Sequence, residues 1–379
     1  MIHTAESLLR EFISYPTVSS ESVTAMADRL ANLAEDLAFT VERFQSAPGK
    51  ENLLAQLGPQ EDALVLCGHM DVVPVSGQNW DSDPFTAKFT EERILGRGSC
   101  DMKGFIASAY SALQHIDPTK LRRGLTLLWT HDEEVGCLGA HCLVNQLKAE
   151  QRVLPTAILI GEPTSSNICH HHGGHTTIEL SITGQPAHSS KPHLGVCANS
   201  LMLDALDIVR SWIGWLNQQL CPVANSSPVL NIAQLSGGEA INIVPHHAQL
   251  RLGLRPMPSH NTQDLLAPLF QQWSQLQEDI SQKGGELIWR IPQIAAPLLT
   301  PLSTPLQQML ERHLACPEIV GVPFATDGGC LAELNTLPLV CGPGSIDVAH
   351  QANEWISRAE LAEYSSRLQA LLKEWTQTG

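Results

Sequence analysis

The chain has 379 residues, which favours two domains, and 43% of them are hydrophobic, as in ordinary globular proteins. Its formal charge is −16, from 23 basic and 39 acidic residues, which argues against nucleic acid and anionic membrane surfaces as partners. We see no secretion leader, no apolar run long enough to cross a membrane and no Cys-x-x-Cys pair. The ten cysteines are therefore expected to be reduced thiols in a cytoplasmic protein.

Strand-like and helix-like segments alternate from the first predicted helix, capped by Thr4, to about residue 170. A further helix is predicted from Met102 to about His115. Four short runs are almost entirely apolar, which is typical of strands buried on both faces of a parallel sheet. These runs are residues 64–67, 125–129, 157–160 and 338–341.

The pattern changes near Gly173 and Gly174, where polar and apolar residues begin to alternate as in a half-exposed strand. The next segments follow a β-α-β-β-α-β order, which is the ferredoxin-like arrangement. They are residues 176–183, 198–216, 228–235, 248–254, 263–283 and 286–291. The predicted fold is therefore an α/β, mostly parallel-sheet domain (1–174 and 291–379) with an inserted ferredoxin-like α+β lid or dimerisation domain (175–290).

Acidic and imidazole side chains follow the apolar runs, where strands end. Because ligand sites of open α/β sheets lie beyond the carboxyl ends of their strands, these side chains are expected to meet. Taken singly, each has an ordinary explanation as a turn residue or a helix cap. Together they predict one dinuclear metal site, formed by His69, Asp101, Glu134, Glu162 and His350.

Two neighbours of these residues suggest further roles. Asp71 stands two residues after His69, on the same side of a strand, so it could accept the second ring N–H of a metal-bound histidine. Glu133 and Glu134 are adjacent acids at the mouth of a buried sheet, where a cation is needed to keep both charged. One of them is expected to bind metal and the other to act as a base.

Six segments, in order along nearly the whole chain, resemble the dinuclear zinc aminoacylase and carboxypeptidase family. They are residues 68–71, 98–104, 132–134, 161–164, 184–190 and 342–350. The resemblance implies a zinc-peptidase-like fold with two Zn²⁺ per subunit, for which Co²⁺ could substitute.

The resemblance also implies a role for each residue of the site. Asp101 would bridge both metals, with a cis peptide after it. His69 and Glu162 would complete one metal site, and Glu134 and His350 the other. Glu133 would be the general base, and Asp71 would orient His69.

Residues of the inserted domain and a glycine loop are implied as well. His188 would reach the active site of the partner subunit of a homodimer and stabilise the oxyanion. Asn242 and Arg255 would hold substrate, although a turn residue and a surface ion pair explain them equally well. Gly342 and Gly344 would line the substrate pocket with backbone N–H groups.

The implied activity is metal-dependent deacylation of a small N-acyl amino acid. The segments 161–165, 254–258 and 342–346 favour N2-acetyl-L-ornithine, giving L-ornithine and acetate. Desuccinylation of N-succinyl-diaminopimelate, deacetylation of acetylcitrulline and cleavage of dipeptides remain alternatives within the family. A non-catalytic metal-binding or peptide-binding protein on the same fold is the alternative from a different class.

Overall fold

The computed structural model describes residues 3–314, 318–322 and 324–377, which divide into two compact units. The first unit comprises Met1–His171, Leu299–Val322 and Thr326–Gly379, and the second comprises His172–Leu298 and Pro323–Ala325. The main divisions thus fall at 171/172 and 298/299, where the sequence analysis has 174/175 and 290/291. The lid function of the second unit stays a prediction.

The strands of the described chain are short. In chain order they are β1 (Thr40–Ala47), β2 (Lys50–Leu57), β3 (Leu64–His69), β4 (Lys88–Phe89), β5 (Arg93–Leu95), β6 (Leu125–Thr130), β7 (Ala157–Pro163), β8 (Ile168–His172), β9 (His175–Thr183), β10 (Val229–Gly237), β11 (His247–Arg255), β12 (Glu286–Ala295), β13 (Leu298–Leu299), β14 (Ile319–Val322), β15 (Leu337–Gly342) and β16 (Trp355–Ser357).

The helices lie between these strands. In chain order they are α1 (Ala5–Ile13), α2 (Thr24–Asp36), α3 (Lys103–Leu113), α4 (Leu138–Ala149), α5 (Ala198–Leu216), α6 (Thr262–Gln282), α7 (Pro305–His313), α8 (Asp327–Leu331) and α9 (Arg358–Gln377). None of them, within the residues described, combines the length and hydropathy that crossing a lipid bilayer requires.

The main sheet of the first unit has the order β1-β2-β6-β3-β7-β15-β8-β13, with β14 beside β8. Its centre, β6-β3-β7-β15, is parallel, whereas the pairings β1–β2, β2–β6 and β15–β8 are antiparallel. Every residue of β3 and β6 is buried, as expected for strands covered on both faces. The predicted α/β class is confirmed, and the antiparallel strands are confined to the flanks.

Helices α1, α3 and α9 pack together over this sheet and place the site-bearing strand ends. Close packing between α3 and β7 depends on Gly161, because a Cβ there would lie 1.8 Å from the Phe105 ring. Phe105 in turn makes edge-on contacts with Trp129 and Tyr364, with ring centroids 6.4 and 6.2 Å apart. The glycine before Glu162 therefore allows the helix to reach the sheet.

The second unit has the predicted β-α-β-β-α-β order and an antiparallel sheet ordered β10-β11-β9-β12. Buried and more exposed residues alternate along β9 and β11, so one sheet face forms a core with α5 and α6. Helix α5 has the predicted bounds, whereas β12 continues past the predicted residue 291 to Ala295. Strand β10 lies at the edge of the sheet, and most of its residues are exposed.

Candidate metal centre

The four parallel strands deliver the predicted ligands to one edge of the main sheet. Strand β3 ends at His69, which pairs in register with Thr130, the last residue of β6. Glu134 follows β6 four residues later, and Glu162 lies near the end of β7. Strand β15 leads to the loop that bears His350. The carboxyl ends of the strands therefore form the site.

Asp101 lies between two groups of side chains. Its Oδ1 is 3.0 Å from His69 Nε2, and its Oδ2 is 3.2 Å from His350 Nε2. Glu162 Oε1 lies 3.6 Å from the first ring nitrogen, and Glu134 Oε2 lies 2.9 Å from the second. The side chains thus form two groups of potential metal ligands, and Asp101 belongs to both. A carboxylate that bridges two metal ions would have to occupy such a shared position. The peptide bond between Asp101 and Met102 is cis.

The carboxyl groups of the site do not titrate alike. Burial raises the pKa of Glu162 well above its usual value, with the charge of Asp101 adding to the effect. Burial and Asp101 also raise the pKa of Glu134 to about 7. For Asp101 itself, hydrogen bonds from His350 and His69 outweigh burial and lower the pKa. Of these three acids, Asp101, which lies at the shared position, therefore stays ionised most readily.

The two imidazoles are held by the same acids. Burial opposes the charge of His69, but Glu162 and Asp101 together raise its pKa well above the usual value. Hydrogen bonds to Asp101 and Glu134 raise the pKa of His350 to about 10.

The donor set fits divalent metal ions. Ligand atoms of His69, Asp101 and Glu134 lie within 4.8 Å of one another, and so do those of His69, Glu133 and Glu162. Imidazole nitrogen and carboxylate oxygen are ligands that zinc and related ions accept. A cation would also offset the buried negative charge that raises these pKa values. The residues therefore fit a dinuclear centre.

Asp71 contacts both the histidine and the acidic loop. The atom nearest to His69 Nδ1 is the backbone carbonyl oxygen of Asp71, at 2.9 Å, whereas its carboxylate Oδ1 is 3.7 Å away. The carboxylate instead accepts hydrogen bonds from Ser19 Oγ at 2.7 Å and from the backbone N–H groups of Glu133 and Glu134 at 3.1 and 3.4 Å. Asp71 thus positions the two glutamates as well as the ring.

The three consecutive acids after β6 have different environments. Asp132 Oδ1 accepts a hydrogen bond from Lys50 Nζ at 2.6 Å, so a local cation already neutralises this acid. Glu133 has its pKa raised well above the usual value, mainly by burial and with a further contribution from Asp327. Glu134 faces His350. Lys50 therefore pairs with Asp132 and leaves the carboxyl groups of Glu133 and Glu134 for the site.

Glu354 holds the backbone around Asp101 through hydrogen bonds, and it is missing from the sequence prediction. Its Oε1 accepts the backbone N–H groups of Cys100 and Asp101 at 2.9 and 3.1 Å. Its Oε2 accepts Gly98 N at 3.1 Å and Arg97 Nη1 at 2.7 Å, in a fully buried ion pair. The available signal was its position four residues after His350, which indicates proximity but no partner.

The predicted substrate-binding residues lie in two places. His188 and Asn242 are close together in the second unit, where Ser189 N donates to Asn242 O at 3.1 Å, and Arg255 ends β11. Gly342 and Gly344 lie in the first unit.

The N–H groups of this glycine loop already have partners inside the chain. Gly342 N donates to Thr164 Oγ1 at 3.2 Å, and Gly344 N donates to Glu360 Oε1 at 2.7 Å. These amides fix the loop, so the expectation that they are free for substrate is corrected. Whether the loop lines the pocket stays a prediction.

The chain matches the family model of "Peptidase family M20/M25/M40" over residues 65–374 and belongs to this family. The resemblance seen in the sequence is thereby confirmed. Because the match covers most of the chain, the protein is a metal-dependent hydrolase of amide bonds that acts on small molecules.

Curated relatives in this family are acetylornithine deacetylases. The protein of Photorhabdus laumondii is 32% identical over 368 residues, covering 92% of this chain and 91% of the relative. The protein of Proteus mirabilis is 33% identical over 375 residues, covering 93% of this chain and 92% of the relative.

Solved structures share the fold at low identity. The M20 family metallo-carboxypeptidase Sso-CP2 of Sulfolobus solfataricus has a TM-score of 0.77 at 17% identity, covering 99% of this chain and 100% of that one. The YXEP protein of Bacillus subtilis, a dinuclear metal binding peptidase, has a TM-score of 0.64 at 14% identity. The match covers 99% of this chain and 98% of that one.

We predict that Glu354→Gln weakens both the fold and metal binding. The variant leaves Arg97 buried without its counter-charge, and breaking such a pair costs about 3–5 kcal/mol. It also turns an amide toward N–H donors, which displaces the Asp101 backbone. Urea unfolding and metal titration measure the two effects. Glu6→Gln is the matched control, because the partly exposed Glu6–Arg358 pair should contribute at most about 1 kcal/mol. Parental stability of Glu354→Gln would contradict this role.

Proposed function

We propose that the protein removes the acetyl group of N2-acetyl-L-ornithine, releasing L-ornithine and acetate, as a step of arginine biosynthesis. The acetylornithine deacetylases of Photorhabdus laumondii and Proteus mirabilis support this substrate. The observation that supports the chemistry is Glu133, a half-buried acid whose pKa is raised and which lies among the metal donors. None of the nine cysteines in the described ranges forms a disulfide, which agrees with the reducing cytoplasm as its compartment.

We further propose that two Zn²⁺ ions bind per subunit, with Co²⁺ as a functional substitute. His69, Asp101 and Glu162 would hold one ion, and Asp101, Glu134 and His350 the other. When bound, the metals lower the pKa of water and polarise the amide carbonyl.

Glu133 is the proposed general base and acid. Burial raises the pKa of its carboxyl, which makes the carboxylate a better proton acceptor. It takes a proton from the attacking water and delivers it to the leaving nitrogen as the C–N bond breaks. Asp71 holds the backbone N–H of Glu133, so the base keeps its place during both transfers.

The second unit is proposed to supply substrate contacts in a homodimer. His188, exposed and hydrogen-bonded through Nδ1 to Ser190 Oγ at 2.8 Å, would stabilise the oxyanion in the partner's site. Arg255 would bind the substrate carboxylate, and Asn242 would hold the substrate nearby. The exposed edge strand β10, with Val229 and Leu235 each 54% exposed, supports association of copies.

The alternatives differ in substrate or in class. Desuccinylation of N-succinyl-diaminopimelate, deacetylation of acetylcitrulline and dipeptide cleavage use the same metal chemistry. A non-catalytic metal-binding or peptide-binding protein would have no need for a base at Glu133.

We expect Glu133→Ala to retain both metals and to lose turnover by about 10²- to 10⁴-fold, because positioned proton transfer contributes this much. Metal content is measured together with single-turnover hydrolysis. Glu35→Ala, at an exposed position of α2, is the control and should behave as the parent. Hydrolysis by Glu133→Ala at nearly the parental rate would show that another group is the base.

The substrate is tested by comparing N2-acetyl-L-ornithine with N-succinyl-diaminopimelate on zinc-reconstituted protein, with chelated protein as the blank. We expect preference for the acetyl substrate and loss of activity on chelation. Preference for the succinyl substrate would retain the mechanism and replace the substrate. Activity on neither would lead to acetylcitrulline and dipeptides, and then to the non-catalytic alternatives.

The cross-subunit role of His188 is tested by mixing inactive variants. Refolded mixtures of His188→Ala and Glu133→Ala chains should regain about one quarter of parental activity, since half of the dimers are mixed and each holds one intact site. Each variant alone is the control. If both residues act within one subunit, mixtures remain inactive. Light scattering of the parent should give the mass of a dimer.

A further inference from the structure

A second group of donors includes the proposed base but none of the five proposed metal ligands. Atoms of Glu133, Cys137 and Asp327 that are able to ligate a cation lie within 4.8 Å of one another. Cys137 and Asp327 are only 1% and 2% exposed. Nothing in the sequence joins these three residues, because 190 residues separate Asp327 from Cys137 (327 − 137) and its Thr-Asp-Gly-Gly segment is typical of a helix start.

A tight turn brings the thiol over the base. The backbone N–H groups of Gly136 and Cys137 both donate to Glu133 O at 2.8 Å. Cys137 adopts a left-handed conformation, with φ of 56°, before α4 begins. As a result, its Sγ lies 3.5 Å from Glu133 Oε1 and donates to it.

Asp327 supplies the third donor and has an unsatisfied oxygen. It begins α8, and its Oδ2 accepts a hydrogen bond from Thr130 Oγ1 at 2.6 Å. Its Oδ1 is buried and has no hydrogen-bond partner within the described part of the chain. A buried carboxylate oxygen without a partner is costly, and burial raises the pKa of this acid to about 7. A bound cation would supply the missing partner.

The geometry and chemistry of the group suit a thiophilic divalent ion. Zinc bonds of about 2.3 Å to sulfur and about 2.1 Å to oxygen place tetrahedral S and O ligands about 3.6 Å apart. The observed separation of Cys137 Sγ and Glu133 Oε1 is 3.5 Å. The Cys137 thiol also contacts that of Cys330, which hydrogen-bonds to His141. On binding, Cys137 would lose its proton to solvent and coordinate as the thiolate.

We propose that Glu133, Cys137 and Asp327 form a third divalent-cation site, which takes Zn²⁺ or Co²⁺ once the dinuclear centre is filled. An ion at this site engages the carboxylate of Glu133 and withdraws it from proton transfer. High zinc concentrations therefore inhibit the enzyme by occupying its base. The site itself is independent of the substrate, whereas the inhibition rests on the proposed role of Glu133.

Cobalt titration tests the site without any substrate. The five proposed ligands of the dinuclear centre offer only nitrogen and oxygen, so they give no sulfur-to-cobalt charge transfer. We expect Co²⁺ beyond two equivalents to produce this near-ultraviolet absorption in the parent. Cys137→Ser should abolish it, and Asp327→Asn should weaken cobalt binding by at least about 10-fold. Cys142→Ser removes an exposed thiol of α4, the helix that follows Cys137. This variant is the control and should retain the band.

Zinc inhibition tests the consequence. We expect hydrolysis by the parent to fall as Zn²⁺ rises above two equivalents, and Cys137→Ser to need about 10- to 100-fold more zinc for the same loss. Circular dichroism of each variant checks that it has folded. Absence of the charge-transfer band at every cobalt ratio, or its survival in Cys137→Ser, would overturn the site. Equal zinc inhibition of parent and Cys137→Ser would overturn its effect on turnover. Inactivity of the parent on all substrates would count against the proposed function but leave the cobalt result decisive for the site.

Discussion

Buried negative charge at the carboxyl edge of the parallel strands is the constraint on which the rest of this structure depends. Taking carboxylates out of water is expensive unless cations or hydrogen bonds compensate them. His69 and His350 compensate Asp101 and lower its pKa, whereas burial raises the pKa of neighbouring acids. The acids so raised include Glu133, Glu134, Glu162 and Asp327. Divalent cations are the natural counter-charges for such a set.

Two basic side chains near the site pair with acids other than the five proposed ligands. Lys50 binds Asp132, and Arg97 binds Glu354. These pairs hold the loops that present Glu133 and Asp101, and they leave the ligand carboxylates available to metal. Positive charge placed directly against the ligands would have competed with the ions for them. Loop stability and metal binding are therefore linked through Glu354, which pairs with Arg97 and also holds the backbone of Asp101.

The central strands and their polar ends could be predicted because their signals are local. Continuous apolar runs define β3, β6, β7 and β15, and the residues beyond them must meet at one edge. The supports of the site could not be predicted, because they join distant segments. Arg97 and Glu354 are separated by 257 residues, and only the three-dimensional structure pairs them. The antiparallel flank formed by β1 and β2 was also missing from the sequence prediction. Strand β1 is mostly exposed, and β2 begins with three polar residues, so neither contains a long apolar run.

The bridging geometry also has a consequence for the order in which the chain is made. One group of proposed ligands is synthesised entirely before the second unit begins at His172. It consists of His69, Asp101 and Glu162. His350 follows Glu162 by 188 residues (350 − 162), and Glu354, which holds Asp101, comes later still. A ribosome therefore releases the ligands of one metal position long before it can complete the other. As a result, the proposed dinuclear site cannot be complete until translation has passed the second unit and reached His350.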